Sequence, residues 1–175
     1  MNFRFPLATA SWDEAEYDAF ERVISLDQFT MGELVAEFES NFATYFGSRF
    51  AVMVNSGSSA NLLTLTALRE THGLGEIIVP PLTWVSDIAA VLQCGFKPVF
   101  ADIHPRTLGL HDAQVLSKIT KRTKAVFLTH ILGYNALTQR LLDELASRGI
   151  TLIEAVSESH GSTFCWRKLG TYGVM

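Results

Sequence analysis

The sequence predicts an α/β fold in which a mostly parallel β-sheet is flanked by helices. From residue 51 onward, short runs rich in β-branched residues alternate with amphipathic stretches of helical length, the pattern of repeated βαβ units. The strand candidates are almost continuously apolar, as strands buried on both faces of a parallel sheet are. The composition agrees with a globular chain, since 48% of the 175 residues are hydrophobic and 18% are charged.

The predicted elements follow one another with short connections. Strands are predicted over 51–55, 76–79, 98–101, 125–129 and 151–154, and helices between them over 58–71, 86–93, 112–118 and 138–147. Gly73, Gly95 and Gly149 stand just after helices and are expected to end them. Residues 162–175 are predicted to form two short strands around a turn, and their apolar end suggests a sheet that is incomplete at the C-terminus.

A separate N-terminal helical segment is predicted over 1–50, before a partial α/β domain over 51–175. Its helices are expected over 13–25 and 33–45. Ser11 is the predicted N-cap of the first helix, because Glu14 stands three residues later as in a capping box. Four aromatic residues of the second helix recur at helical spacing and are expected to pack in a core or an interface: Phe38, Phe42, Tyr45 and Phe46.

Charge and hydropathy argue against several classes of protein. The 14 basic and 18 acidic residues give a net charge of −4, which disfavours binding to nucleic acid or to anionic lipid. Apolar runs end well short of the roughly 18 residues that span a bilayer, and the N-terminus lacks a secretion signal, so we expect a cytoplasmic protein. Cys94 and Cys165 are expected to be buried, reduced thiols. No spacing of Cys and His residues predicts a metal site.

Ligands of a parallel sheet bind beyond the carboxyl ends of its strands. The first such place is the segment NSGSSAN, residues 55–61, where Gly57, Ser58 and Ser59 lie at the start of a predicted helix. Free backbone N–H groups and hydroxyls at a helix start suit a phosphate. The segment lacks both the GxGxxG and the Walker pattern, and a merely well-capped helix is the alternative.

Other strand ends carry further candidates. Trp84 lies in PPLTWVSD, residues 80–87, where its indole either stacks on a flat ligand ring or covers the edge of the core. Asp102 and His130 each end a strand, as binding groups or as hydrogen-bonded structural groups. Glu154, Glu158 and His160 stand within seven residues and are suited to acid–base work or to orienting a polar ring.

Five segments, in order, carry a resemblance to a known family: FTMG (29–32), NSGSSAN (55–61), PPLTW (80–84), GFKPVFAD (95–102) and ESHG (158–161). The chain resembles the N-terminal part of the DegT/DnrJ/EryC1/StrS family of pyridoxal-phosphate-dependent sugar aminotransferases. Its nearest likeness is to the branch of nucleotide-linked 4-keto-6-deoxyhexose 3-dehydratases. The resemblance implies the large domain of the aspartate-aminotransferase-like (type I) fold and a homodimer, or a partner chain, that completes the active site.

The resemblance also implies ligands and residue roles. The cofactor would be pyridoxal 5′-phosphate (PLP), and the substrate a nucleotide-linked keto-deoxy sugar of deoxysugar synthesis for lipopolysaccharide or O-antigen. The implied phosphate-binding residues are Gly57, Ser58 and Ser59. Trp84 would stack on the pyridine ring, and Glu158 would approach its phenolic oxygen. The sugar would be approached by the loop containing Phe29, Met31 and Gly32.

Two departures from the family pattern qualify these roles. The family has an Asp that pairs with the pyridine nitrogen, and this chain has Ala155 there. The neighbouring Glu154 is expected to face the other side of the strand. The family's catalytic Lys or His follows the residues that match 173–175, so no catalytic residue is assigned here. The sequence leaves open an enzyme part that is not competent as this chain, a non-catalytic binding protein and, with less support, an unrelated nucleotide binder.

Overall fold

The computed structural model describes residues 9–173, and two helices come first: α1 (Glu14–Leu26) and α2 (Glu33–Phe46). The N-cap of α1 is Asp13, and the prediction of Ser11 is wrong. The Asp13 side chain accepts from the N–H of Ala15 at 2.9 Å, and Glu16 accepts from the N–H of Asp13 at 2.8 Å. This capping box satisfies two N–H groups and places two carboxylates at the positive helix end.

The aromatic stripe of α2 packs at only one part of its length. Phe42 and Phe46 lie edge-on to the ring of His160, with centroids 5.7 and 5.5 Å apart. Phe38 and Tyr45 remain about half exposed. The expected packing is therefore observed for the two residues that meet the loop after the last strand of the main sheet.

The α/β part alternates helices and strands as predicted. Its elements are α3 (Gly57–His72), β1 (Glu76–Val79), α4 (Val85–Gln93), β2 (Lys97–Phe100), α5 (Asp112–Lys118), β3 (Thr123–Thr129), a 3₁₀ turn (Ile131–Gly133), α6 (Gln139–Arg148) and β4 (Thr151–Ala155). The four strands are all parallel, in the order β2-β1-β3-β4. A short antiparallel pair follows, β5 (Thr163–Phe164) and β6 (Arg167–Lys168). The predicted parallel sheet flanked by helices is confirmed.

The strand predicted over 51–55 is wrong, because this segment is irregular in the structure. A strand needs a neighbour that pairs with its backbone, and no described strand pairs with these residues. The N–H of Met53 instead donates to the Glu39 carboxylate at 2.7 Å. Val52 and Met53 are more than half exposed, so the apolar run that predicted the strand is not buried among the described residues.

Alternate strand residues face the two helical layers. Ile77, Ala125 and Ile153 pack with residues of α3 and α4 on one face of the sheet. Ile78 and Leu152 pack with residues of α5 and α6 on the other. The register between β3 and β4 runs without a bulge. Because side chains alternate along a strand, the last two residues of β4 face opposite layers.

The two thiols differ in exposure. Cys94 is buried at the end of α4, as predicted, but Cys165 is exposed, so the prediction that both thiols are buried is wrong. Cys165 lies in the turn between β5 and β6 with a φ of 46°, where two-residue strands provide little cover. In residues 9–173, no helix combines the length and apolar character needed to cross a bilayer.

Candidate functional site

A cavity of about 640 Å³ opens at the carboxyl ends of the parallel strands. Its wall includes the starts of α3 and α4, the ends of β3 and β4 and the loop after β4. This is the place where open parallel sheets bind ligands. Of the predicted site residues, the cavity brings together Gly57, Ser58, Trp84 and Glu158, and the further candidates His130, Glu154 and His160 also line it.

The start of α3 presents unpaired donors to this cavity. Ser56 is the N-cap, and its hydroxyl accepts from the N–H of Ser59 at 3.2 Å. The N–H groups of Gly57 and Ser58 have no acceptor among the residues that the structure describes. A Cβ built on Gly57 would meet no atom within 4 Å, so the space above it is open. Two N–H groups, the exposed Ser58 hydroxyl and the positive helix end suit an anion.

Ser59 lies beside this helix start but is not among the cavity's lining residues. Its hydroxyl donates to Asn55 Oδ1 at 2.7 Å and pairs with the Ser56 hydroxyl at 3.1 Å. In this conformation the hydroxyl stabilises the turn into α3. A contact between Ser59 and an anion stays a prediction.

Trp84 stands at the rim of the cavity as the N-cap of α4. Its side chain makes no capping hydrogen bond, and the residue is 74% exposed. The indole is therefore neither part of the core nor needed to begin the helix. An exposed apolar face at the mouth of a cavity suits a flat ring.

A buried carboxylate lies one helical turn below Trp84, and the sequence analysis missed it. Asp87 is 6% exposed and lines the cavity. Its Oδ1 accepts from Asn61 Nδ2 at 2.7 Å. Its Oδ2 accepts from the hydroxyls of Thr83 and, at 3.4 Å, Thr129. The available signal was an acidic residue three positions after Trp84 in an otherwise apolar helix start.

Ala155 lines the cavity at the end of β4, paired in register with Thr129 of β3. Glu154 has its carboxylate on the other face, only 1% exposed. This carboxylate accepts from the backbone N–H groups of Gly170, Tyr172 and Gly173 at 2.9, 2.8 and 2.6 Å. The structure therefore agrees with the expectation that Glu154 and Ala155 face opposite sides of β4.

His130 provides a further hydrogen bond to the buried Glu154 carboxylate. Its Nδ1 accepts from the N–H of Ala136 at 3.1 Å, so the proton is on Nε2, which donates to Glu154 at 3.2 Å. Burial opposes ionisation of Glu154, but the hydrogen bonds from His130 and from the backbone outweigh burial and hold the pKa of Glu154 below its usual value. Of the two alternatives for His130, the hydrogen-bonded structural group is the one observed. Asp102 is exposed, accepts from the N–H of Ile103 at 2.8 Å and does not line the cavity.

Glu158 lies on the loop after β4, and its Oε2 accepts from the N–H of Leu132 at 2.5 Å. This contact joins the loop to the 3₁₀ turn, where Leu132 has a φ of 52°. His160 lines the same side of the cavity. The predicted approach of Glu158 to a phenolic oxygen is untested by these contacts and stays a prediction.

The predicted sugar loop lies outside this cavity. Phe29, Met31 and Gly32 belong to the connection between α1 and α2, and none of them lines the cavity. Phe29 is 65% and Met31 93% exposed. Their role toward a substrate stays a prediction. Within residues 9–173, no cluster of three or more His, Cys, Asp or Glu side chains is arranged to hold a metal ion.

Comparison with known proteins places this geometry in a family. The model of the DegT/DnrJ/EryC1/StrS aminotransferase family matches residues 10–175. A GDP-4-keto-6-deoxy-D-mannose 3-dehydratase of Yersinia pseudotuberculosis is 38% identical over 176 residues, which is 98% of this chain and 45% of the relative. An L-glutamine:scyllo-inosose aminotransferase of Streptomyces griseus is 36% identical over 138 residues, covering 79% of this chain and 32% of the relative.

Solved structures agree with the sequence comparison. The E. coli GDP-4-keto-6-deoxy-D-mannose-3-dehydratase with bound hydrated PLP superposes with a TM-score of 0.90 at 38% identity. The match covers 97% of this chain and 45% of that enzyme. The chain thus spans less than half the length of these relatives.

Proposed function

Because this chain belongs to the DegT/DnrJ/EryC1/StrS aminotransferase family, we propose that it forms the cofactor-binding part of a PLP-dependent enzyme acting on a nucleotide-linked 4-keto-6-deoxy sugar. One observation carries the proposal: the unpaired donors at the start of α3 and the exposed indole of Trp84 line one cavity. The first group suits a phosphate and the second a flat aromatic ring.

The donor set fits PLP. The N–H groups of Gly57 and Ser58 and the Ser58 hydroxyl bind the phosphate, and the open space at Gly57 lets its oxygens approach the backbone. Trp84 covers one face of the ring and excludes water from it. Glu158, from the loop after β4, would approach the phenolic oxygen of the pyridine ring. PLP, when bound, supplies an electron sink for the substrate's reacting carbon.

Dehydration at C3 is the proposed reaction, since 3-dehydratases match 98% of this chain. Transamination is the second candidate, because an aminotransferase matches 79% of it. In either case the whole protein would work in the cytoplasm in deoxysugar synthesis for lipopolysaccharide or O-antigen. Mass spectrometry of the sugar after incubation with PLP, L-glutamate as amino donor and GDP-4-keto-6-deoxymannose separates the two. Dehydration releases the C3 hydroxyl as water, with the reducing electrons supplied by the donor, whereas transamination replaces the keto oxygen with the donor's nitrogen.

Ala155 favours a non-catalytic alternative, in which the protein keeps the cavity but not the turnover. A methyl group at the end of β4 offers no partner to a pyridine nitrogen. In this alternative the cofactor still binds, and the sugar incubation above yields no new product. A new sugar product in that incubation contradicts this alternative.

Cofactor binding is tested with pyridoxamine 5′-phosphate, whose amine forms no Schiff base with surface lysines. We expect saturable binding by calorimetry. Ser58→Ala should weaken it about tenfold or more through the lost hydrogen bond to a charged group, and Trp84→Ala should weaken it through the lost ring contact. Trp166→Ala is the matched control, because Trp166 is 99% exposed and does not line the cavity. Unchanged affinity in both cavity variants contradicts the proposed site.

Self-association and the sugar loop complete the proposal. Helix α1 has no buried residue, and its Phe20 and Ile24 are more than half exposed, as is Trp12 just before the helix. These exposed apolar side chains support a homo-oligomer or a partner chain over this face. Light scattering during gel filtration tests the association, and a monomer contradicts it.

For the predicted sugar loop between α1 and α2, Met31→Ala should raise the KM for the sugar and leave pyridoxamine 5′-phosphate affinity unchanged.

A further inference from the structure

A bound pyridine ring needs an acidic partner at its nitrogen if it is to act as an electron sink, and β4 does not provide one at Ala155. Three described residues that line the cavity carry carboxylates: Asp87, Glu154 and Glu158. We propose that Asp87, from α4, is the partner of the pyridine nitrogen in this chain. The inference rests on the proposed function, since it concerns the same cavity and the same cofactor.

The other two carboxylates are committed elsewhere. Glu154 accepts from three backbone N–H groups and from His130 on the far side of β4. Turning it into the cavity would leave these buried donors without an acceptor. Glu158 is exposed and holds the N–H of Leu132 across the cavity mouth. Of these three described carboxylates, Asp87 is the one that is buried and accepts from side chains alone, without a backbone N–H group.

Asp87 also lines the cavity together with Ala155, which has only a small side chain. Ala155 is the register partner of Thr129 on the neighbouring parallel strand. The Thr129 hydroxyl lies 3.4 Å from Asp87 Oδ2 and 2.7 Å from the Thr83 hydroxyl. A short chain of polar contacts therefore leads from the strand end at Ala155 to the Asp87 carboxylate. Ala155 and Asp87 both line the cavity, and the small methyl group of Ala155 takes up less of it than a carboxylate side chain would.

The spacing along the two helices places Asp87 near the residues proposed to hold the phosphate and the ring. Asn61, which binds Asp87, follows Ser58 by three residues on α3, a rise of about 4.5 Å along the axis. On α4, Trp84 precedes Asp87 by three residues, so both lie on one side of the helix start. A ring held against the indole presents its edge to the carboxylate.

The carboxylate has capacity for one more donor. Its oxygens accept from Asn61 at 2.7 Å and from Thr83, whereas the contacts with the Ser86 and Thr129 hydroxyls are long, at 3.5 and 3.4 Å. A charged donor forms a stronger hydrogen bond than either long contact and can replace it. Asn61 and Thr83 fix the orientation of the carboxylate before any ligand arrives. Asp87 would accept a charge-assisted hydrogen bond from a protonated ring nitrogen, whose proton would come from solvent.

The test uses the full chain and pyridoxamine 5′-phosphate labelled with ¹⁵N in the ring. We expect the ¹⁵N chemical shift of the ligand bound to wild-type protein to be that of a protonated ring at a pH alkaline enough that the free ligand in the same buffer shows the neutral-ring shift. Asp87→Asn should give the neutral-ring shift and bind the ligand about 10- to 100-fold more weakly. Adding Ala155→Asp to this variant should restore the protonated signal. Asp102→Asn, an exposed acid that does not line the cavity, is the matched control and should change neither readout.

The outcomes separate the two proposals. No saturable binding by the wild type refutes the cofactor site and this inference together. Saturable binding with a neutral ring in the wild type, or with a protonated ring in Asp87→Asn, refutes only the role of Asp87. Should Asp87→Asn fail to fold, as judged by its circular dichroism without ligand, the wild-type chemical shift still decides. A protonated ring then supports Asp87 as the buried carboxylate free to pair with it, and a neutral ring overturns the role.

Discussion

Replacing Glu154 with glutamine should destabilise the protein strongly, although the two side chains have nearly the same shape. Glu154 Oε1 accepts from Gly170 N–H and His130 Nε2–H, and Oε2 accepts from Tyr172 N–H and Gly173 N–H. A glutamine amide has one acceptor oxygen and one NH₂ donor. Whichever way the amide is turned, its NH₂ faces two donors.

The size of the effect follows from these contacts. Two buried donors lose their acceptor, and each loss costs about 1–3 kcal/mol. The expected decrease in the free energy of unfolding is therefore about 2–6 kcal/mol. Since a domain is stable by about 5–15 kcal/mol in total, the variant should unfold at markedly lower urea concentration.

The pH dependence gives an independent test. The pKa of Glu154 is lowered in the folded protein relative to the ordinary value of 4.5. Its contribution is therefore fully present above that value and is lost as the pH falls below it through the folded pKa. The stabilities of wild type and Glu154→Gln should differ by a constant amount near neutral pH and converge below pH 4.5.

Urea denaturation followed by circular dichroism measures both quantities. Glu144→Gln is the matched control: Glu144 pairs with Arg148 at 2.7 Å on the surface, and its loss should cost no more than about 0.5 kcal/mol. A decrease below about 1 kcal/mol for Glu154→Gln, or a difference from wild type that persists unchanged into acid, would refute the reasoning.

Two further predictions concern packing and exposure. Gly109→Ala should lower the free energy of unfolding by about 1–3 kcal/mol, because the new Cβ would lie 2.3 Å from the Cβ of buried Ala136. Gly57→Ala, whose Cβ meets open space, should leave the melting temperature unchanged, and equal melting of both variants contradicts the packing. For the thiols, Ellman's reagent should label Cys165 within the native protein and Cys94 only after unfolding, so two fast equivalents would show that Cys94 is accessible.

Local patterns predicted most of the elements correctly because local forces determine them. Apolar periodicity marked the helices and the buried strands to within two residues, and Gly73 and Gly149 end α3 and α6 as expected. The predicted capping box began at Ser11, two residues before the observed one at Asp13. Both Ser11 and Asp13 have a Glu three residues later, and only the three-dimensional contacts show which pair closes.

The candidate site was predicted where it depends on the residues at the start of a helix. The open start of α3 and the indole at the start of α4 follow from the order of small, polar and aromatic residues. The sequence did not reveal Asp87 as a residue of the site, because its burial in the cavity wall depends on hydrogen-bond partners 26 and 42 positions away, Asn61 and Thr129. No local pattern distinguishes such an aspartate from one that caps a helix.

The sequence by itself determined the alternation of strands and helices, the parallel character of the sheet and the family likeness, because each depends on residues close together in the chain. The tertiary structure alone decided that no described strand pairs with 51–55, that Glu154 is held by the backbone at 170–173 and that Asp87 reaches the cavity. Strand pairing and buried hydrogen bonds join distant segments, and their geometry exists only once the chain has folded.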